Sequence, residues 1–269
     1  MQTDRNKEKE ILKGLLNKLA GPDGKPFENF ELTTFCAMRG ENSTGDLMII
    51  GRAVNGWQEK PWESKDLLGN NKIEEIIKEL YDYPPMRWVM EWWDGKKESG
   101  KKYKTRTSAF WRVARSVAER FGIPDATNPR GTWPTHLIWS NLYKLSHYTG
   151  ANPLGNLAKF QRKECIDLLK VEISQWQPKK ILFLTGFDEW ADKFLTEDGN
   201  GLGELNIHSK NCDDKKVQMS GKLIIPLGTP IPFVVASHPQ SKKEGKMVEE
   251  IKSAFVKLEN NFLSSTITR

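Results

Sequence analysis

Three short polar stretches hold the residues whose types could do chemistry. They are Arg52 and Asn55 in Gly51-Arg52-Ala53-Val54-Asn55-Gly56, Asn141 and Lys144 in Ser140-Asn141-Leu142-Tyr143-Lys144, and Ser237, His238 and Gln240 in Ser237-His238-Pro239-Gln240-Ser241. The set contains amides, a histidine and cations. It has no pair of carboxylates for acid–base work on a glycoside, no Ser-His-Asp order and no GxxxxGK phosphate cradle. Such groups suit two tasks: reading the edge of a nucleobase by hydrogen bonds, and stabilising negative charge as it develops on that base.

Each stretch follows an apolar run, Leu47-Met48-Ile49-Ile50, Leu137-Ile138-Trp139 or Phe233-Val234-Val235-Ala236. Short uninterrupted apolar runs read as strands buried on both faces of a parallel sheet, with a ligand crevice beyond their carboxyl ends. For Gly51 and Gly56 a second reading stands beside this one, in which they only allow a tight turn. Helical spacing of Ile11, Leu12, Leu15, Leu16 and Leu19 predicts a first amphipathic helix, stopped by Gly21-Pro22-Asp23-Gly24. Residues 25–45 read as an irregular approach. Further helices are expected over Ile73–Tyr83, Ser108–Phe121 (with Ser108 as cap), Glu164–Trp176, Phe187–Leu195 and Gly245–Asn260. Strands are expected at Thr135–Trp139, Ile181–Gly186, Leu223–Ile225 and Pro232–Ala236, and a loop or hairpin over 196–222. Helix, short turn, strand, helix is the rhythm of βαβ units, so the expected fold class is α/β in one domain spanning 1–269.

An insertion at about 58–107 carries the aromatic segment Met86 to Trp93 and the lysine-rich turn DGKKESGKKYKTR. The turn reads either as a solvated loop or as a set of cations (Lys96, Lys97, Lys101, Lys102, Lys104, Arg106) meeting phosphates, with the aromatic segment walling a site. Arg112, Arg115 and Arg120 fall on a polar helix face where solvation is the default.

The chain has 269 residues, is 38% hydrophobic and carries 41 Lys+Arg against 35 Asp+Glu, a net charge of +6 that leans toward a polyanionic partner. Ten tryptophans suit either an aromatic core or stacking on extruded bases. Cys36, Cys165 and Cys212 are far apart and in no CxxC, which argues against a zinc site and a disulfide framework. No signal peptide and no apolar run of membrane-spanning length is visible, so the expectation is a cytoplasmic protein without a membrane partner.

In order and spacing, the three loops resemble those of the uracil-DNA glycosylase superfamily over roughly Asp46 to Asn260. In that family a first strand ends in a G-x-(Asp, Asn or Ala)-P loop, a middle strand in an Asn-containing loop, and a late strand in H-P-S before a helix. The resemblance implies a three-layer α/β/α sandwich with a central, mostly parallel sheet. It also implies a base-flipping enzyme that hydrolyses an N-glycosidic bond in DNA without metal or cofactor, and no obligatory protein partner. By motif position His238 would hold the base oxygen that becomes anionic, and Asn141 would read the base edge. With the loop offset by two residues, Asn55 would position the water. Gly51, Arg52, Trp57, Asn141, Lys144, Ser237, Gln240 and Lys242 would bind base or DNA. The chain departs from the pattern at Ala53, Val54 and Gln240, which leaves two substrate classes open: uracil or a related damaged base, and a hypermodified phage cytosine removed in antiviral defence. A catalytically inactive nucleic-acid-binding module and a nucleoside hydrolase are the other readings.

Overall fold

Aliphatic runs with no polar interruption are most stable where both faces are covered, and here they build the centre of a seven-stranded sheet. The structure is a computed structural model. It describes residues 5–54, 60–69, 71–82, 86–95, 103–150, 152–153, 155–195, 201–211, 216–225 and 228–266, with backbone alone at 261–266. In chain order the elements are α1 (Asn6–Ala20), β1 (Glu31–Thr34), β2 (Met38–Arg39), β3 (Met48–Gly51), β4 (Trp62–Glu63), α2 (Lys72–Asp82), α3 (Trp88–Glu91) and α4 (Ala109–Arg120). Then follow β5 (Ile138–Asn141), β6 (Leu145–His147), α5 (Gly155–Trp176), β7 (Ile181–Leu184), α6 (Asp192–Leu195), β8 (Glu204–Lys210), β9 (Val217–Ile224), β10 (Ile231–Ala236) and α7 (Glu244–Thr266).

The chain divides into two compact units: Met1–Ala37 with Arg52–Tyr83 and Asn141–Trp176, and Met38–Gly51 with Pro84–Ser140 and Gln177–Arg269. The second holds the seven-stranded sheet, in the order β2-β5-β3-β7-β10-β9-β8. β3 pairs parallel with β7, and β7 with β10. The N–H of Ile138 donates to Leu47 O at 3.1 Å, and that of Tyr143 to Arg52 O at 3.0 Å. The two segments therefore advance together, and β5 also runs parallel to β3. Both margins are antiparallel: β2 on β5, β9 on β10 and β8 on β9. Ile49, Ile50, Leu182, Phe183, Val234 and Val235 are all fully buried, each side chain contributing about 1.5–3 kcal/mol by leaving water. α7 packs on β10 and β9 with α4 beside it. It buries Met247, Ile251, Phe255 and Leu258, the stripe its spacing predicts, while Ala254 is only half-buried.

The aromatic segment of the insertion belongs to this core. Trp88 packs against Trp111 and Trp139 at ring separations of 5.3 and 5.4 Å, and Trp111 lies 5.1 Å from Trp139. Burial of the Trp88 ring thus favours the core reading over a site wall. Arg112 reaches Glu244 at 2.6 Å, Arg120 reaches Glu249 at 2.8 Å and Arg115 donates to Ala126 O. The polar face of α4 is therefore paired rather than merely solvated. Ser108 occupies the cap position, but no hydrogen bond from its side chain caps the helix.

In the other unit α1 packs on α5 and α2, and a three-stranded sheet runs in the order β4-β1-β6 with both pairings antiparallel. Leu12, Leu15, Leu16 and Leu19 meet Leu32, Leu80, Leu145 and Leu168 in one cluster.

Several boundaries differ from the sequence expectation. β1 and β2 lie in the stretch read as irregular; they are four and two residues long, too short for a visible alternation. The strand expected at Thr135–Trp139 starts at Ile138, because Trp133–His136 forms a tight helical turn with Pro134 near its start. α5 begins at Gly155, nine residues before the expected start at Glu164. The segment after β7 is broken by Glu189 at φ 65°, so regular helix is confined to α6. Residues 196–222 contribute the β8–β9 hairpin, and the strand expected at Leu223–Ile225 is the end of β9.

Candidate functional site

Within the sheet unit the register sets which loops share a rim. Ile50 pairs with Phe183 and Phe183 with Val235, so β3 and β10 end level, and Gly51 and Ser237 leave the sheet on the same side. The carboxyl end of β5, the neighbouring parallel strand, points to that side too. This is the carboxyl edge, where open α/β sheets place ligands.

The loop beyond β10 is short and tied down. Ser237 N–H donates to Lys216 O at 2.8 Å, and Lys242 N–H to Pro239 O at 3.1 Å. His238 is half-buried, and its Nδ1 accepts from the Gln240 N–H at 3.4 Å. In the neutral ring this bond leaves the proton on Nε2, so that Nε2 is a donor. Gln240 and Lys242 are exposed, and α7 begins at Glu244.

The other candidate residues lie in the helical unit. Arg52 is half-buried and its carbonyl accepts from Tyr143 N–H. Val54 is 6% exposed, and its carbonyl accepts from Ser146 Oγ at 2.6 Å. Asn141, the last residue of β5, is buried. Asn55, Gly56 and Trp57 lie outside the described residues, as do Lys96, Lys97, Lys101, Lys102 and Cys212.

Lys144 departs from the expectation of a cation reaching for DNA. Its ammonium is 2.7 Å from Glu172 Oε1, and both side chains are 1% exposed. It also lies 5.5 Å from the Phe35 ring centroid. A lysine in this position is held as a structural ion pair, because removing it from the carboxylate would strand a buried charge.

A second pair stands in the same unit. Arg5 donates through Nε to Glu8 Oε2 at 2.9 Å and through Nη2 to Ala37 O at 2.8 Å. Its guanidinium lies over the Tyr81 and Trp176 rings. Burial, helped by Glu172, pushes the Glu8 carboxyl above the usual glutamate range against the opposing pull of Arg5 and Lys144. Burial also raises the Cys36 thiol, and pushes Cys165 up to about 12. Both are protonated, unreactive thiols at neutral pH.

Gln161 of α5 fixes the segment that carries Asn141 and Lys144. Its Oε1 accepts from the N–H groups of Lys144 and Leu145 at 3.1 and 2.7 Å, and its Nε2 donates to Leu145 O at 2.8 Å. Gln161, Glu172 and Glu8 were not among the residues expected from the sequence. The signal was available: Glu8 continues the inward stripe of Leu12, Leu15, Leu16 and Leu19 back one turn, and Gln161 and Glu172 lie on the stripe of Cys165, Leu168, Leu169, Ile173 and Trp176. A polar residue on such a stripe is buried and must find a partner.

Among the described residues, no group of three or more His, Cys, Asp or Glu side chains is placed to hold a metal ion, and no helix is long and apolar enough to cross a membrane. No known family model matches this chain, and no curated protein matches it.

Proposed function

We propose that this chain is a monofunctional DNA glycosylase of the uracil-DNA glycosylase type, a three-layer α/β/α enzyme that flips a non-standard base out of DNA and hydrolyses its N-glycosidic bond. The observation that carries the reading is the level carboxyl edge of the parallel strands, where Gly51 and the Ser237-His238 loop leave the sheet together. The Nδ1 contact of His238 adds to it. A neutral imidazole with its proton on Nε2 is suited to donate to a base oxygen as charge builds on it. In the reaction the glycosidic electron pair leaves with the base, the sugar becomes oxocarbenium-like, and water adds at its anomeric carbon. No protein nucleophile is required. Asn55 is assigned to orient that water, and Asn141 to read the extruded base. Gly51, Arg52, Trp57, Ser237, Gln240 and Lys242 are assigned to the base and the DNA backbone.

The test is an alkali-cleavage assay for abasic sites, run on uracil-containing oligonucleotides and on phage DNA carrying glucosylated hydroxymethylcytosine. Cleavage of the first assigns the chain to repair; cleavage of the second alone assigns it to defence against modified phage DNA. His238→Ala is expected to slow the active reaction by roughly 10²–10³-fold, the usual loss for one donor to a developing anion. Full activity in both His238→Ala and Asn55→Ala would defeat the assignment of roles. A binding module without catalysis is the second reading, supported by Ala53 and Val54. Neither side chain can orient a water, and the Val54 carbonyl is already held by Ser146. It predicts salt-dependent DNA binding with no abasic product on either substrate.

A further inference from the structure

Among the described residues of the sheet unit, surface cations are unevenly neutralised. At the amino end of β7, Lys179 meets Asp46 at 2.6 Å and Lys180 meets Glu259 at 2.7 Å, one carboxylate to each cation. Around the start of α7 the balance differs. Exposed Asp94 is shared by two exposed arginines, Arg106 at 3.2 Å and Arg130. Lys242 and Lys243 stand exposed just before Glu244, whose carboxylate is taken by Arg112.

Hydrogen bonds join these groups into one ridge. While bound to Glu244, Arg112 also donates through Nη1 to Arg106 O at 3.0 Å. Arg112 and Arg120 meet Glu244 and Glu249 in the same order along both helices, so α4 and α7 begin at the same end. That end is the carboxyl edge of the sheet, because α7 follows β10 through the Ser237-His238 loop. The two arginines are mounted on fixed backbone rather than on a loose turn. Thr105 Oγ1 donates to Val89 O at 2.7 Å inside the core, and Arg106 N–H reaches Trp93 O at 3.4 Å. Arg130 N–H reaches Asn128 Oδ1 at 3.1 Å. The nearby Asp125 carboxylate is engaged by the Thr132 N–H at 2.6 Å, so the ridge keeps a surplus of cations.

An exposed ion pair holds its partners weakly, and a guanidinium fork fits a phosphate as well as a carboxylate. We propose that Arg106, Arg130, Lys242 and Lys243 form a ridge that grips phosphates of DNA flanking the His238 loop, with Asp94 holding the two arginines in place of a phosphate until DNA arrives. The ridge rests on the DNA-binding part of the reading above and not on its chemistry. It brings the base of the 58–107 insertion into the interface and gives Asp94 an opposing role, as a carboxylate that competes with DNA for both arginines.

Fluorescence anisotropy of a labelled DNA duplex containing only ordinary bases, titrated with the full chain over a series of salt concentrations, tests it. Arg106→Ala and Arg130→Ala should each weaken binding about three- to tenfold and reduce the slope of log Kd against log salt by about one. Asp94→Asn should tighten binding about threefold, since it releases both arginines. Lys179→Ala, at the opposite edge of the sheet, should bind as the parent does. These side chains are exposed, and far-ultraviolet circular dichroism would confirm that each variant folds. If the parent binds but neither arginine variant is weakened, if Lys179→Ala is weakened as much, or if Asp94→Asn loses affinity, the ridge is overturned while DNA binding stands. A parent that leaves the duplex unbound at low salt overturns the ridge and the proposed function together.

Discussion

At the centre of the sheet unit stand Phe183, Phe233, Val234 and Ile50, with a cluster of tryptophans around Trp111. At the centre of the helical unit stand leucines together with two ion pairs, Lys144–Glu172 and Arg5–Glu8. The difference shows in what each core tolerates. An apolar core loses a methylene gradually, whereas a core containing charges fails when one partner is removed, because the other is left buried and unpaired. The segment from Asn141 to Lys144, which the proposed function uses, is built on the second kind of core.

The sharpest way to break this comparison is to remove one ion. Lys144→Met or Glu172→Leu alone is expected to cost about 3–5 kcal/mol, while the double variant Lys144→Met/Glu172→Leu should recover most of it. Ile49→Val in the sheet should cost only about 0.5–1.5 kcal/mol. Urea unfolding followed by circular dichroism measures all four. If either single ionic variant proved as mild as Ile49→Val, the distinction between the two cores would fall.

A smaller effect is expected from Gln161→Leu. The substitution keeps the volume but leaves the Lys144 and Leu145 N–H groups without their acceptor, at about 1–3 kcal/mol. The specific readout is amide exchange. Residues 143–146 should exchange faster while the β3–β7–β10 ladder is unchanged, and uniform acceleration over both units would mean that Gln161 serves general stability rather than this segment.

The two kinds of core were also unequally legible in the sequence. Leu47–Ile50 and Phe233–Ala236 announced buried parallel strands because every residue in them is apolar, and the parallel centre of the sheet is as expected. The stripes of α1, α2, α4 and α7 were readable for the same reason, since period 3.6 survives in a single sequence. β1, β2 and β4 were not, because two to four residues cannot show an alternation, and their pairing is set by distant partners. Lys144 illustrates a further limit. A lysine after a strand reads as a free cation until the structure brings Glu172, twenty-eight positions later, to within 2.7 Å. For the candidate site, the sequence identified the loops at the carboxyl edge, but not Gln161, whose role exists only once α5 crosses behind the second loop.

The finest contrast between the units is in the sign of their pH dependence. Glu8 is held above its ordinary 4.5, chiefly by burial, so it binds its proton more tightly in the folded than in the unfolded chain. The stability tied to it is fully present below about 4.5 and declines as pH rises through the folded value. Asp46, in the sheet unit, is held below 3.8 by hydrogen bonds from Lys179 and Thr44. Its contribution is present above about 3.8 and is lost as pH falls through the folded value. The Asp46 side chain is 42% exposed, so solvent screening keeps its share below about 1 kcal/mol. Glu8→Gln keeps an oxygen for Arg5 but has nothing to titrate, and should flatten the decline of melting temperature on the high-pH side. Asp46→Asn should flatten the acid side by a smaller amount. Melting curves from about pH 3 to about pH 8 decide it: a Glu8→Gln profile that steepened with rising pH would reverse the sign assigned to the buried pair, with Glu8 then binding its proton less tightly in the folded chain.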